Sequence, residues 1–245
     1  MTKQPAIQRV EVSSPKTLAR IAGLLYLLVA VFDLFAALYV RARLVRSGDA
    51  TSTADNLRSS GPLFRIGFVC DVLGATFFLL LAMALYVLLR QVNHLAAGAM
   101  VTFVAVAVAI NFASLTNWYT AFTVATDENY TRAFGKAGAD ALTTLFVDMQ
   151  QAGTFVATMF FGLWLFPLAY LVSRSGYVPR VLGALLALAG FGWIADFFTY
   201  FLAPGAIKPV SLGADILGGI AELSFMAWLL VVGPRRAAPP TLARS

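Results

Sequence analysis

The chain has 245 residues, of which 60% are hydrophobic and only 12% charged, and a formal net charge of +6; soluble domains carry about 25% charged residues. A mean hydropathy of +0.79 excludes an ordinary soluble domain, and because the basic residues sit at the ends of apolar runs and in the tails, their expected partners are lipid headgroups and not nucleic acid. At least five apolar runs exceed the roughly 20 residues that a helix needs to cross a bilayer, so the expected fold is all-α, a polytopic membrane protein built as a six-transmembrane-helix bundle.

Residues 1–16 read as a polar tail with Lys3, Arg9 and Lys16. The first span is expected over 17–44; its apolar run, from about Leu18 to Val40, is too long for the core of a signal peptide and reads as uncleaved. The second and third spans are expected over 62–91 and 94–123. Residues Val104 to Ile110 alternate like a strand, but both members of the alternation are apolar, and an open strand cannot satisfy its backbone in lipid. A fourth helix over 139–173 would be about 52 Å long at 1.5 Å per residue, so it must tilt or project from the bilayer. The fifth and sixth spans fall over 179–202 and 210–233, which makes 17–234 one transmembrane domain, and 235–245 with its two prolines reads as a disordered tail. Two longer outer loops are expected near 47–61 and 124–138. In the first, Thr51, Ser52, Thr53 and Asp55 precede Asn56-Leu57-Arg58, a pattern that caps a short surface helix.

Ten Lys and Arg residues fall on the side of the two tails and eight, among them Arg41, Arg43, Arg46, Arg58 and Lys136, on the other. That excess predicts a cell-membrane protein with both termini cytoplasmic. Aromatic residues give a second ruler: Tyr39, Trp118, Tyr119 and Tyr200 mark outer span ends, and Tyr86, Tyr170 and Tyr177 mark inner ones. Cys70 is the single cysteine, so no intrachain disulfide forms, and it reads as a small buried residue.

Five acids interrupt the apolar runs: Asp33, Asp71, Asp148, Asp196 and Glu222. Counted along the spans, the first four lie in the outer half of the membrane and Glu222 near its midplane, with Asn111, Asn117, Gln150 and Gln151 at similar depths. On the fourth span, Thr144, Asp148, Gln151, Phe155, Thr158 and Gly162 follow the 3.6-residue period, and small residues accompany the other acids, as helix-facing surfaces require. Five ionised acids facing lipid would cost on the order of 12 to 17 kcal/mol. They must face inward, pair or carry a proton. A single such acid also serves as a packing or hydrogen-bond anchor; the clustering sets this group apart.

Arg65 is the nearest cation in sequence to this level, six residues from Asp71. The expectation is one outward-opening pocket lined by Arg65, Asp71, Asp148, Asp196 and Glu222, with Arg65 at the rim and Glu222 as the floor, joined by Asp33, Asn111, Asn117 and Gln151. His94 is the only histidine, which excludes a multi-histidine metal site or bis-histidine haem within one chain. No phosphate-binding glycine loop is present, and no cofactor is expected; carboxylate coordination of a hard cation stays open.

Three functions fit this pattern. The first is binding or transport of a cation, a proton or a small cationic solute. The second is an intramembrane enzyme that uses paired carboxylates on a lipid-soluble substrate, and the third is a non-catalytic subunit whose arginine-rich outer loop meets another membrane protein or anionic lipid.

The chain also resembles a bacterial family of integral membrane proteins, the domain of unknown function DUF4386. The resemblance rests on Ala19-Arg-Ile-Ala-Gly-Leu-Leu-Tyr-Leu27, Leu63-Phe-Arg-Ile-Gly67, the run from Ala84 to Asn93, Phe161-Gly-Leu-Trp-Leu165, the run from Tyr170 to Gly183, and Ala221-Glu-Leu-Ser-Phe-Met-Ala-Trp-Leu-Leu230. It implies a multi-span membrane protein, and it assigns no activity and no catalytic residue.

Overall fold

The computed structural model describes residues 15–176 and 178–233. The predicted N-terminal tail before Pro15, the predicted C-terminal tail and Tyr177 lie outside the described residues. Seven helices follow in chain order: α1 (Pro15–Leu44), α2 (Ala50–Ser59), α3 (Gly61–Leu89), α4 (His94–Thr126), α5 (Glu128–Arg174), α6 (Arg180–Leu202) and α7 (Ile207–Val231), the last entered through a 3₁₀ turn at Pro204–Ala206. Among the described residues there is no strand, and six of these helices are long and apolar enough to cross a membrane. The protein is an all-α, multi-pass membrane protein whose solvent is the lipid bilayer.

Local chemistry sets the ends. Asn93 caps α4, accepting from the Leu95 and Ala96 amides at 3.0 and 3.1 Å. Asp49 caps α2, accepting from the Ser52 amide at 2.9 Å and its hydroxyl at 2.6 Å, so Thr51, Ser52, Thr53 and Asp55 lie within the surface helix and do not cap it. The expected outer loop at 124–138 is mostly helical: Asp127 caps a new start at Glu128, and Gly135, at φ 71° and ψ 165°, breaks the helix before it becomes a span. Only glycine adopts that backbone without strain.

The helix of the fourth span starts earlier than expected, at Glu128. Beyond the bundle its first turns meet α2, where the Arg58 guanidinium bonds Asp55 at 2.6 Å, the Ala125 carbonyl at 2.8 Å and Asp140, while Lys136 bridges Asp55 at 3.0 Å and Asp140 at 2.9 Å. These contacts fasten α2 across the outer ends of α4 and α5.

The six spans form a ring in chain order, α1–α3–α4–α5–α6–α7, closed by α7 against α1, and that closing contact is the thinnest of the six. Lipid tails are as apolar as leucine, so close packing and not burial from water holds such a ring. At the α5–α6 crossing a Cβ on Gly162 would lie 2.8 Å from the Gly190 carbonyl oxygen, an approach that only glycine permits.

Two apolar cores fill the ring. One contains Tyr26, Phe78, Leu85, Trp164, Leu168 and Phe225. The other, towards α2, contains Val40, Phe64, Trp118 and Phe122, with the Phe64 and Phe122 rings stacked at 4.1 Å. Between them, on α1, α3 and α4, come Asp33, Asp71 and Asn111.

Candidate binding site inside the bundle

All six spans contribute to one cavity of about 210 Å³, lined by Tyr26, Asp33, Asn111, Trp164, Trp193 and Glu222 together with Val29, Ala75, Phe78, Val108 and Phe161. That is roughly the space of seven liquid water molecules at ~30 Å³ each. Five of its eleven lining residues are aromatic. The Phe78 and Trp164 rings meet edge-on at 5.1 Å, Phe78 and Phe161 lie 5.5 Å apart, and Tyr26 meets Trp164 at 6.5 Å.

Glu222 is held from two sides. The Tyr26 hydroxyl donates to its Oε2 at 2.5 Å, and the Trp193 indole N–H makes a long contact of 3.4 Å to Oε1. A tyrosine hydroxyl and an indole N–H buried in a span each need an acceptor, and this carboxylate supplies it to both. Asp33 is different. Its carboxylate packs against Gly74, where any Cβ would collide with it, and its other side is open; among the described residues it has no hydrogen bond and no ion-pair partner within 4.0 Å. Asp71, Arg41 and Glu222 are all close enough to act on Asp33 electrostatically.

Asp71 is buried beside the cavity, not in its wall, and its partner is Arg41 at 2.9 Å. Arg65, the predicted rim cation, is exposed: Phe64 and Gly67 turn into the bundle, and a residue one step from Phe64 turns away from it. Arg41 reaches Asp71 from α1 after a π-helical stretch at Phe35–Arg41, whose i→i+5 pairing resets the phase of the last turns and also seats Val40 and Ala36 inward. The Arg41 guanidinium lies 5.9 Å from the Trp118 ring centre, and its Nε is buried without a partner.

The remaining predicted residues do not converge. Asp196 is buried, yet it accepts from the Ser211 hydroxyl in a separate α6–α7 contact. Asp148 and Gln151 are exposed. Phe155 stacks on Tyr200 at 3.8 Å, two residues before α6 ends at Leu202, so Asp148, seven residues or about 10 Å further out along α5, has risen past its neighbour. Asn117 is half-buried on α4, six residues beyond Asn111, and does not line the cavity. Gln150, one step from Gln151, is buried and donates to Thr154 at 2.9 Å. The five predicted lining residues therefore do not share one pocket. Of the nine candidate positions, Asp33, Asn111 and Glu222 line the cavity.

Sequence reasoning missed Tyr26, Trp164, Trp193 and Arg41. A signal existed for the first three: each is an aromatic residue with a polar atom in mid-span, away from the headgroup boundary where such rings prefer to lie. Arg41 carried none, because the π turn that aims it has no sequence signature. Of the arginines in the outer loop expected to meet a partner, namely Arg41, Arg43, Arg46 and Arg58, two are engaged within the chain, Arg41 with Asp71 and Arg58 with Asp140, and Arg43 lies 3.9 Å over the Tyr39 ring. Among the described residues no group of three His, Cys, Asp or Glu side chains is placed to hold a metal ion.

Fold and site together define a six-span helical membrane protein with a polar layer between its two apolar cores. The chain belongs to the DUF4386 family, a domain of unknown function, whose model matches residues 21–233. An uncharacterized protein of Archaeoglobus fulgidus is 39% identical over 75 residues, which cover 31% of this chain and 43% of that protein; the match thus spans less than half the length of this relative. No solved structure matches the chain.

Proposed function

We propose that the protein binds, and in doing so can move across the membrane, a small organic cation, with Asp33 and Glu222 as its counter-charges. The observation that carries this reading is an imbalance. Asp71 and Glu222 each lie within electrostatic reach of Asp33, and among the described residues Arg41 is the one cation paired with any of the three. With all three ionised, three negative charges against one positive leave an excess of two, and Asp33, exposed at the apolar groove between α1 and α7, has no partner there; an unpaired charge facing lipid costs about 2.5 to 3.5 kcal/mol. A cation or a proton relieves it. The aromatic walls favour an organic cation, which gains from ring faces when its hydration is weak, and a cavity without a three-ligand cluster suits such a group better than a bare divalent metal.

The orientation belongs to the same proposal. Six spans put Pro15 and Val231 at one end of the bundle, and the positive-charge excess makes that end cytoplasmic. The groove between α1 and α7, which runs from the cavity towards Ala37, Leu38 and Asp215, then leads towards the non-cytoplasmic side of a cell membrane. A second reading, carboxylate acid–base catalysis on a lipid-soluble substrate, gains support from a groove between α1 and α7 that joins the same cavity. It requires product to form from a lipid extract, and pure binding does not.

Labelled tetramethylammonium does not cross bilayers, so equilibrium binding to right-side-out vesicles tests site and side together. Asp33→Asn and Glu222→Gln are each expected to weaken binding by roughly tenfold or more, since each removes one desolvated charge interaction, and Asp148→Asn is expected to leave it unchanged. Binding unaltered in both cavity variants would overturn the assignment. Binding only to inverted vesicles would reverse the orientation.

A further inference from the structure

The cavity is not closed towards lipid. At the α1–α7 seam it continues into a groove of about 540 Å³, and the two spaces share Tyr26, Val29, Asp33, Trp193 and Glu222. Away from those shared residues the groove is walled by Ala30, Leu34, Leu38, Gly219, Leu223 and other apolar or small side chains, with Asp215 the one further acid. The neighbouring glycines at the seam differ. A Cβ on Gly218 would meet the Trp193 indole at 3.0 Å, so Gly218 serves packing, whereas a Cβ on Gly219 meets nothing within 4 Å. The seam is also the thinnest contact of the ring.

A hydrophilic cation gains nothing from an apolar trough two and a half times the size of its binding cavity. An acyl chain of bulk lipid would fill the trough but would leave the carboxylates at its inner end uncompensated. Both halves are satisfied by one molecule. We propose that the ligand is a cationic amphiphile, which enters sideways from the bilayer with its headgroup between Asp33 and Glu222 and its apolar chain lying in the α1–α7 groove. This rests on the cation-binding reading above and adds to it the class of ligand and the route.

The test uses full-length protein in nanodiscs and two probes, tetramethylammonium for the headgroup alone and dodecyltrimethylammonium for head plus chain, each displacing labelled tetramethylammonium. The chain is expected to improve displacement by roughly tenfold or more, because it buries methylene groups. Gly219→Leu on α7 and Ala30→Leu on α1 fill the groove from opposite walls, and neither residue lines the central cavity. In these variants tetramethylammonium should bind within about twofold of the parent while most of the dodecyl advantage disappears. The inference is overturned if the advantage persists in both, since simple partitioning into lipid then explains it, if both fillings weaken the two probes equally, or if neutral dodecanol displaces as well as the cationic amphiphile. Absence of tetramethylammonium binding to the parent protein would instead overturn the cation-binding reading itself.

Discussion

Arg41 decides the charge state of the polar layer, and its value shows best when one partner is removed at a time. The Asp71 side chain keeps 10% of its surface exposed and that of Arg41 27%, so Arg41→Ala leaves a carboxylate nearly buried and alone. Breaking such a pair costs about 3 to 5 kcal/mol when it is fully enclosed; the partial exposure of Arg41 points to the lower end. Replacing both charges together, Arg41→Met with Asp71→Asn, should restore most of that loss, because an uncharged pair of similar volume leaves no buried charge unpaired. Thermal unfolding in detergent measures both. A double variant as unstable as Arg41→Ala would show that packing, not charge compensation, is what Arg41 supplies. At this scale the sequence was half legible: that Asp33, Asp71 and Glu222 lie at depth followed from counting residues along apolar runs. Arg41 as the partner did not, because Arg65 is six residues from Asp71 while Arg41 is thirty, and local spacing cannot see a cation brought in by another helix.

At the scale of elements, α2 is the most conditional part of the fold, since it is held to α4 and α5 through Arg58, Asp55, Lys136 and Asp140. The Lys136 ammonium and then the Arg58 guanidinium, both bonded to Asp55, hold its carboxyl below the ordinary carboxylate range. A carboxyl lowered in the folded state contributes stability at pH values above its ordinary value of about 3.9, and that contribution is lost as pH falls through the lowered folded value. Amide exchange over residues 50–59 should therefore stay slow from pH 7 to about 5 and rise, beyond the intrinsic pH dependence of exchange, only below about pH 4. Arg58→Ala should give fast exchange at all pH values. Protection that is independent of pH and of Arg58 would mean that the burial of Thr53, Ala54 and Leu57 fastens α2 instead. The same region explains where element prediction failed. Span existence follows from apolar length, but the helical stretch after Glu128 is polar, and only the cap at Asp127 and the positive φ at Gly135 reveal that helix, not loop, covers the outer end.

For the whole molecule, six apolar spans add up to a ring whose seam and centre share one space. The number and order of spans were legible, because each is a long apolar run. The order around the bundle was not, and it is what separates Asp196 and Asp148 from the cavity while bringing Tyr26, Asp33, Trp193 and Glu222 together from α1, α6 and α7. Depth alone treats every acid at one level as a neighbour; the ring makes neighbours only of those that face the same cavity or seam. Asp33 and Glu222, as the counter-charge of a cation site, can be modified in place. Dicyclohexylcarbodiimide partitions into membranes and derivatises protonated carboxyl groups there, and peptide mass spectrometry locates the adduct. Adducts are expected on Asp33 or Glu222 in native membranes, suppressed in proportion to site occupancy when tetramethylammonium is present, with Asp148 unaffected by the cation. Labelling of Asp33 and Glu222 that the cation leaves unchanged would contradict their role as its counter-charge.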